Sequence, residues 1–248
     1  PRRTFLDAVA DLDRAIEIRP DNALDRVNRG NALANLGDAE RAWGSRSREY
    51  LERAIVDFGA ALERRPGLVE AWGNRGSARG LLALVQEEQG GDPRPLLREA
   101  VADYEGALRV NPAFVPGLLG RGTVLRRLGD AEAMRGGDAE PWLARASADF
   151  ERILEREPGN AAARMSRGAT FLSLGRARAA RRIDAREALG QAIVDLDRAL
   201  ETVPGFAQAL RSRAEARRLL AQAELGRGDE GRESARVQFA GAEAREGG

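Results

Sequence analysis

Residues 54–66 read "AIVDFGAALERRP", and variants of that phrase return along the chain at a fixed interval. They are "AVADLDRAIEIRP" from Ala8, "AVADYEGALRVNP" from Ala100, "ASADFERILEREP" from Ala146 and "AIVDLDRALETVP" from Ala192. The closing prolines, Pro20, Pro66, Pro112, Pro158 and Pro204, each lie 46 residues after the last. Within a copy a small residue is followed by a large apolar one four positions on, then Ala or Ile three further, then Pro five beyond. Offsets of four and three put the first three on one face of a helix. The small residues let a neighbouring helix approach, the large one fills the gap, and the proline ends the helix.

A second series keeps the same period. "NRG", "NRG", "GRG", "SRG" and "SRA" end at Gly30, Gly76, Gly122, Gly168 and Ala214. Taken alone, the glycine-rich stretch 65–80, "RPGLVEAWGNRGSARG", looks like a phosphate-cradling loop. Such a loop occurs once, after a strand, usually with a lysine. Five copies inside helical segments instead mark places where two helices cross closely. A third series marks the turn between them: Gly44, Gly90 and Gly136, with Asp92, Asp138 and Asp184. "GGDPRPLL" reads as a helix stop, an N-cap at Asp92 and Pro93 at the first helical position. Asp184 with Glu187 has the spacing of a capping box.

Each period is therefore expected to hold two antiparallel helices, of roughly 20 and 18 residues. The pairs span 23–65, 69–111, 115–157 and 161–203. A lone second-type helix, 2–19, precedes them. A final pair, 207–246, carries Ala235, Phe239 and Ala242 three residues early, and its polar last helix suits a cap. The sequence opens on Pro1 and on a helix with no first-type partner, so either something precedes it or that face packs on another molecule.

Composition narrows the chemistry. Among 248 residues there is no histidine, cysteine or lysine, and all 40 basic residues are arginine, set against 39 acids. No imidazole, thiolate or Schiff-base amine is present, so neither an enzyme nor a metal or cofactor site is expected. Disulfides are impossible, which ties the chain to neither an oxidising nor a reducing compartment. A net charge of +1 supplies no surplus for nucleic acid. No apolar run approaches the ~20 residues of a membrane span.

Trp72 and Gly76, followed by Ala100, Tyr104, Ala107 and Pro112, make a helix–turn–helix unit that resembles the tetratricopeptide repeat. The resemblance covers nearly the whole chain. It implies an all-α, right-handed superhelical solenoid of antiparallel helix pairs and a scaffold that binds a peptide or partner domain on its concave face. Three departures stand out. The family repeat has 34 residues; here 12 more lie between the Gly of the first helix and the Ala of the second. They read as helix extensions running through Gly37 and Gly129, tolerated at roughly 1 kcal/mol each. Leu51, Leu97, Leu143 and Leu189, with Trp43 and Trp142, would pack the added length.

In the second departure, arginine precedes the small residue in every copy: Arg29, Arg75, Arg121, Arg167 and Arg213. Every second helix carries an aspartate in register: Asp11, Asp57, Asp103, Asp149 and Asp195. These could form a ladder for an acidic ligand, but equal counts and equal period favour structural ion pairs between helices. Third, the lysines of the family's carboxylate clamp do not exist here. Groove-facing candidates, by the family's geometry, are Asn28, Asn31, Asn35, Asn74, Ser77, Thr123, Arg126, Arg127, Ser166, Arg211, Glu215 and Arg218. The arginines among them bias the expected partner toward acidic segments. The alternative is head-to-tail self-assembly through the uncovered leading helix. In bacterial proteins arrays of this kind often accompany kinase or other signalling domains.

Overall fold

The structure, a computed structural model, describes residues 2–43 and 46–225, with side chains for all of these but 2, 42 and 43. The expected terminal helix with Ala235, Phe239 and Ala242 lies outside the described residues, as does the Trp43 side chain. The described residues form helices joined by short turns, and none of these helices is long and apolar enough to cross a membrane. They are α1 (Arg2–Ile18), α2 (Ala23–Trp43), α3 (Ser47–Arg64), α4 (Val69–Glu88), α5 (Arg94–Val110), α6 (Val115–Met134), α7 (Glu140–Arg156), α8 (Ala161–Ala180) and α9 (Arg186–Thr202). A tenth, α10, occupies 207–225. The described residues divide into two compact units, unit 1 running to residue 156 and unit 2 from residue 157 onward.

The periodic prolines act as stops. The last intrahelical bonds are closed by Arg65, Asn111 and Val203, whose N–H groups donate to Ala61, Ala107 and Ala199. Pro66, Pro112 and Pro204 follow directly, and proline can neither donate the next bond nor leave its predecessor helical. The paired helices run antiparallel, as their contacts show. A Cβ on Gly30 would meet Phe58 and one on Gly37 would meet Leu51, so seven residues forward on α2 is seven back on α3. Gly122 and Gly129 of α6 meet Phe150 and Leu143 of α7 in the same way, and Gly168 and Gly175 of α8 meet Leu196 and Leu189 of α9.

Gly37 and Gly129 are thus not tolerated breaks. An added Cβ would stand 2.6 Å from Leu51 and 2.9 Å from Leu143, so the helix extensions use these glycines to close over the leucines. Where α4 has Ala83 instead, Leu97 is still fully buried. In each unit the core is the seam along these pairs, with Leu196 wholly enclosed in unit 2 and Phe58 and Phe150 in unit 1. Burying such a ring contributes about 1.5–3 kcal/mol.

The turns are built on Asp92, Asp138 and Asp184, each of which accepts a hydrogen bond from the backbone N–H two residues on, of Arg94, Glu140 and Arg186. Pro93 falls one position earlier than expected, at the N-cap, with α5 beginning at Arg94. Gly90 and Gly136 are left-handed, with φ of 77° and 76°, and Arg182 takes the same place in the next turn at 58°.

Candidate functional site

Two sets of side chains ride on the first-type helices. One set faces the partner helix of its own pair. Arg29 donates through Nε and Nη2 to Asp57 at 2.7 and 2.5 Å. Arg75 reaches Asp103 at 2.9 and 2.6 Å, Arg121 reaches Asp149 at 2.8 and 2.6 Å, and Arg167 reaches Asp195 at 2.7 and 2.8 Å. All four aspartates are at most 3% exposed. A planar guanidinium can hold a carboxylate through two parallel donors, which Lys cannot do. The bond to Asp57 pushes the Arg29 guanidinium well above its ordinary value, and the bond to Asp149 raises that of Arg121.

Two members of the expected set are placed differently. Arg29 also bonds Asp13 of α1, at 2.7 Å, where Asp11 was expected to join the ladder. Arg213 of α10 meets Asp197 of α9 at 2.6 Å, at the same sixteen-residue offset as Arg29 to Asp13. Sequence reading also missed Arg79. Its position four residues after Arg75 places it on the same helical face, and it shares Asp103.

The second set lines a groove in unit 1 between α2 and α4. Asn31, Asn35, Asn74 and Ser77, all candidates from sequence, surround a cavity of about 570 Å³ together with Ala34, Asp38, Phe58 and Leu81. Nδ2 of Asn74 donates to Oδ1 of Asn31 at 2.8 Å, tying the two helices at the groove floor. Ser77 hydrogen-bonds Tyr104, whose phenol burial pushes up to about 12. Asp38 and Leu81 were not foreseen, although each lies seven residues after a foreseen asparagine, on the same helical face.

The remaining candidates are engaged or scattered. Asn28 is exposed on α2. Thr123 turns back on its own helix, donating to the Leu119 carbonyl at 2.8 Å. Arg126 pairs with Asp130 at 3.0 Å. Arg127 reaches back from α6 to α4, donating to the Gly80 carbonyl at 2.9 Å and to Glu87 at 3.1 Å. Burial lowers its pKa. In unit 2, Ser166 is half-buried and its carbonyl accepts from Thr170, while Glu215 is held by Arg176. Arg218 bonds Gln222 at 3.1 Å, and Arg211 is exposed.

The chain matches no protein-family model and no curated protein sequence. It is similar to several solved structures. A tetratricopeptide repeat protein from Parabacteroides merdae superposes with a TM-score of 0.57 at 20% identity, covering 89% of this chain and 70% of that one. A thermophilic TPR protein of Thermus thermophilus gives 0.56 at 21%, covering 86% and 90%. MamA gives 0.52 at 17%, covering 82% and 91%. At such identities the likeness is one of fold, and the fold class is that of tetratricopeptide-repeat proteins: all-α, in consecutive antiparallel helix pairs.

Proposed function

We propose that the chain is a non-catalytic protein-interaction scaffold that seats an extended peptide segment in the groove of α2 and α4. The observation that carries this reading is the convergence of Asn31, Asn35, Asn74 and Ser77 on one open cavity. A carboxamide offers both a donor and an acceptor, as each peptide unit of an extended segment does, so a row of them matches main chain rather than one side chain. The repeat is a tetratricopeptide unit lengthened to 46 residues, with the added turns sealed by glycine–leucine contacts.

Of the candidate arginines, Arg126 and Arg127 are occupied within unit 1, while Arg211 and Arg218 are exposed on α10 of unit 2, so a preference for acidic segments is a property proposed for unit 2 by itself. The balance of 40 basic and 39 acidic residues favours protein over nucleic acid as partner. The test is a peptide-array screen of the purified chain, with hits measured by calorimetry. Replacing both Asn31 and Asn74 by Ala should weaken the best peptides by about tenfold, the loss of one or two hydrogen bonds. Unchanged affinity, or tighter binding of single-stranded RNA than of any peptide, would overturn the reading.

A further inference from the structure

The amide groove between α2 and α4 has a counterpart between α4 and α6, built from the positions 46 further along the sequence. The two differ in what fills them. In the counterpart Gly120 stands for Asn74, and the Tyr104 ring lies so close over it that an added Cβ would come within 2.3 Å. The Ser77 hydroxyl is engaged with Tyr104, and Thr123 donates to the Leu119 carbonyl of its own helix. Arg127 lies back across α4, its guanidinium donating to the Gly80 carbonyl and to Glu87.

In the amide groove Leu81 holds the place of Arg127 and Ala34 that of Gly80, and the space between them belongs to the open cavity. Asp38 stands where the counterpart has Leu84, and among the described residues that line the cavity it alone is charged. Arg41, at the place of Glu87, is 3.8 Å from Asp38 and 3.7 Å from Glu88. Neither distance is that of a hydrogen bond. The Asp38 side chain is 56% exposed, so its carboxylate is open to a further partner. The groove thus offers a carboxylate and a helix carbonyl to the kind of group that its counterpart supplies from within the chain.

We infer that the segment seated in the amide groove presents an arginine side chain, whose guanidinium bonds Asp38 and the Ala34 carbonyl as that of Arg127 bonds Glu87 and the Gly80 carbonyl. This names the ligand class of the groove and rests on the reading of it as a peptide site. The asparagines and Ser77 hold main chain, and Asp38 selects the side chain. A guanidinium has donors enough for a carboxylate and a carbonyl together, in a fixed planar fork that an ammonium lacks.

The probes are two pentapeptide amides, acetyl-Ala-Ala-Arg-Ala-Ala and the same peptide with citrulline for arginine, which keeps the shape and removes the charge. Each is titrated to millimolar concentration into the whole chain and followed through the NMR shifts of its backbone amides and asparagine carboxamides. Both should move the carboxamides of Asn31, Asn35 and Asn74, the arginine peptide saturating at about tenfold lower concentration, as a charge-assisted hydrogen bond would give. Asp38→Asn should erase that difference and leave the citrulline peptide unaffected. Asn31→Ala with Asn74→Ala should weaken both peptides alike. Since Asp38 is exposed, helical content and melting temperature of Asp38→Asn should match the unaltered chain. Equal binding of the two peptides, weakened by the asparagine replacements and indifferent to Asp38→Asn, would overturn the arginine proposal and leave the peptide groove standing. So would a preference for arginine that survives Asp38→Asn, which would put the guanidinium elsewhere. Saturable binding of neither peptide would overturn both readings.

Discussion

Gly122 and Phe150 show what one absent Cβ does in this molecule. A methyl on Gly122 would stand 2.6 Å from Phe150 Cζ, so Gly122→Ala forces the ring or the helix axis to move. Overpacking of that kind costs about 1–3 kcal/mol, and urea unfolding should report it. Gly122→Ala with Phe150→Leu should recover part of the loss, because the side chain is smaller. The neighbouring ion pair behaves oppositely: there, removing atoms is the damage. Arg121→Met leaves Asp149, 3% exposed, charged and alone, at a cost of about 3–5 kcal/mol. Replacing both partners, Arg121→Met with Asp149→Leu, should restore most of the stability. Tyr104 gives a pH signature. Its neutral form is favoured on folding, so the folded state holds the proton between the ordinary phenol value near 10 and its own value of about 12. Stability is unaffected by this group below pH 10, falls as pH rises from 10 to 12, and falls no further above. The loss should reach roughly 2–3 kcal/mol and vanish in Tyr104→Phe, as denaturation at pH 9 and pH 12 would show.

Among the elements, the turn after α8 breaks the pattern of its fellows. Gly90 and Gly136 adopt the left-handed conformation without penalty, whereas Arg182 holds φ of 58° at the equivalent place. That conformation costs a residue with a Cβ about 1–2 kcal/mol, partly offset by the lower unfolded-chain entropy of a non-glycine. Arg182→Gly should therefore stabilise the chain by up to about 1 kcal/mol, visible as a higher melting temperature. The helices were legible in the sequence because their stops, close contacts and turns repeat in one register, and a periodic signal survives substitution of any single copy. What stayed hidden was local or geometric. Gly37 looked like a weak spot in a helix until Leu51 was seen beneath it. Asp13 and Asp197, each sixteen residues before Arg29 and Arg213, also bond those arginines, and no repeat of the ladder's own aspartates pointed to them. The asparagines of the groove were found from one family's geometry, but Asp38 and Leu81 needed the facing helix to be in place.

Taken whole, unit 1 is held by contacts between neighbours in sequence. α1 meets α2, α2 meets α3, and so on to α7; among the described residues the reach past the adjacent helix is that of α2 to α4, α4 to α6 and the Arg145–Glu105 ion pair from α7 to α5. Stability in such an array is a sum of pair and nearest-interface terms rather than the property of one central core. A substitution should then act locally and fade with distance along the stack. Gly30→Ala places a methyl 2.8 Å from the Phe58 ring and loosens the α2–α3 pair at its seam. Hydrogen exchange read by mass spectrometry should show the largest loss of protection in peptides from α2 and α3, a smaller loss in α4, and little change in α6 and α7. An equal loss across 1–156 would mean that the interfaces between pairs are strong enough to make unit 1 open all at once. The docking of a segment in the amide groove, which spans α2 and α4, would then stabilise α6 and α7 as much as the helices it touches.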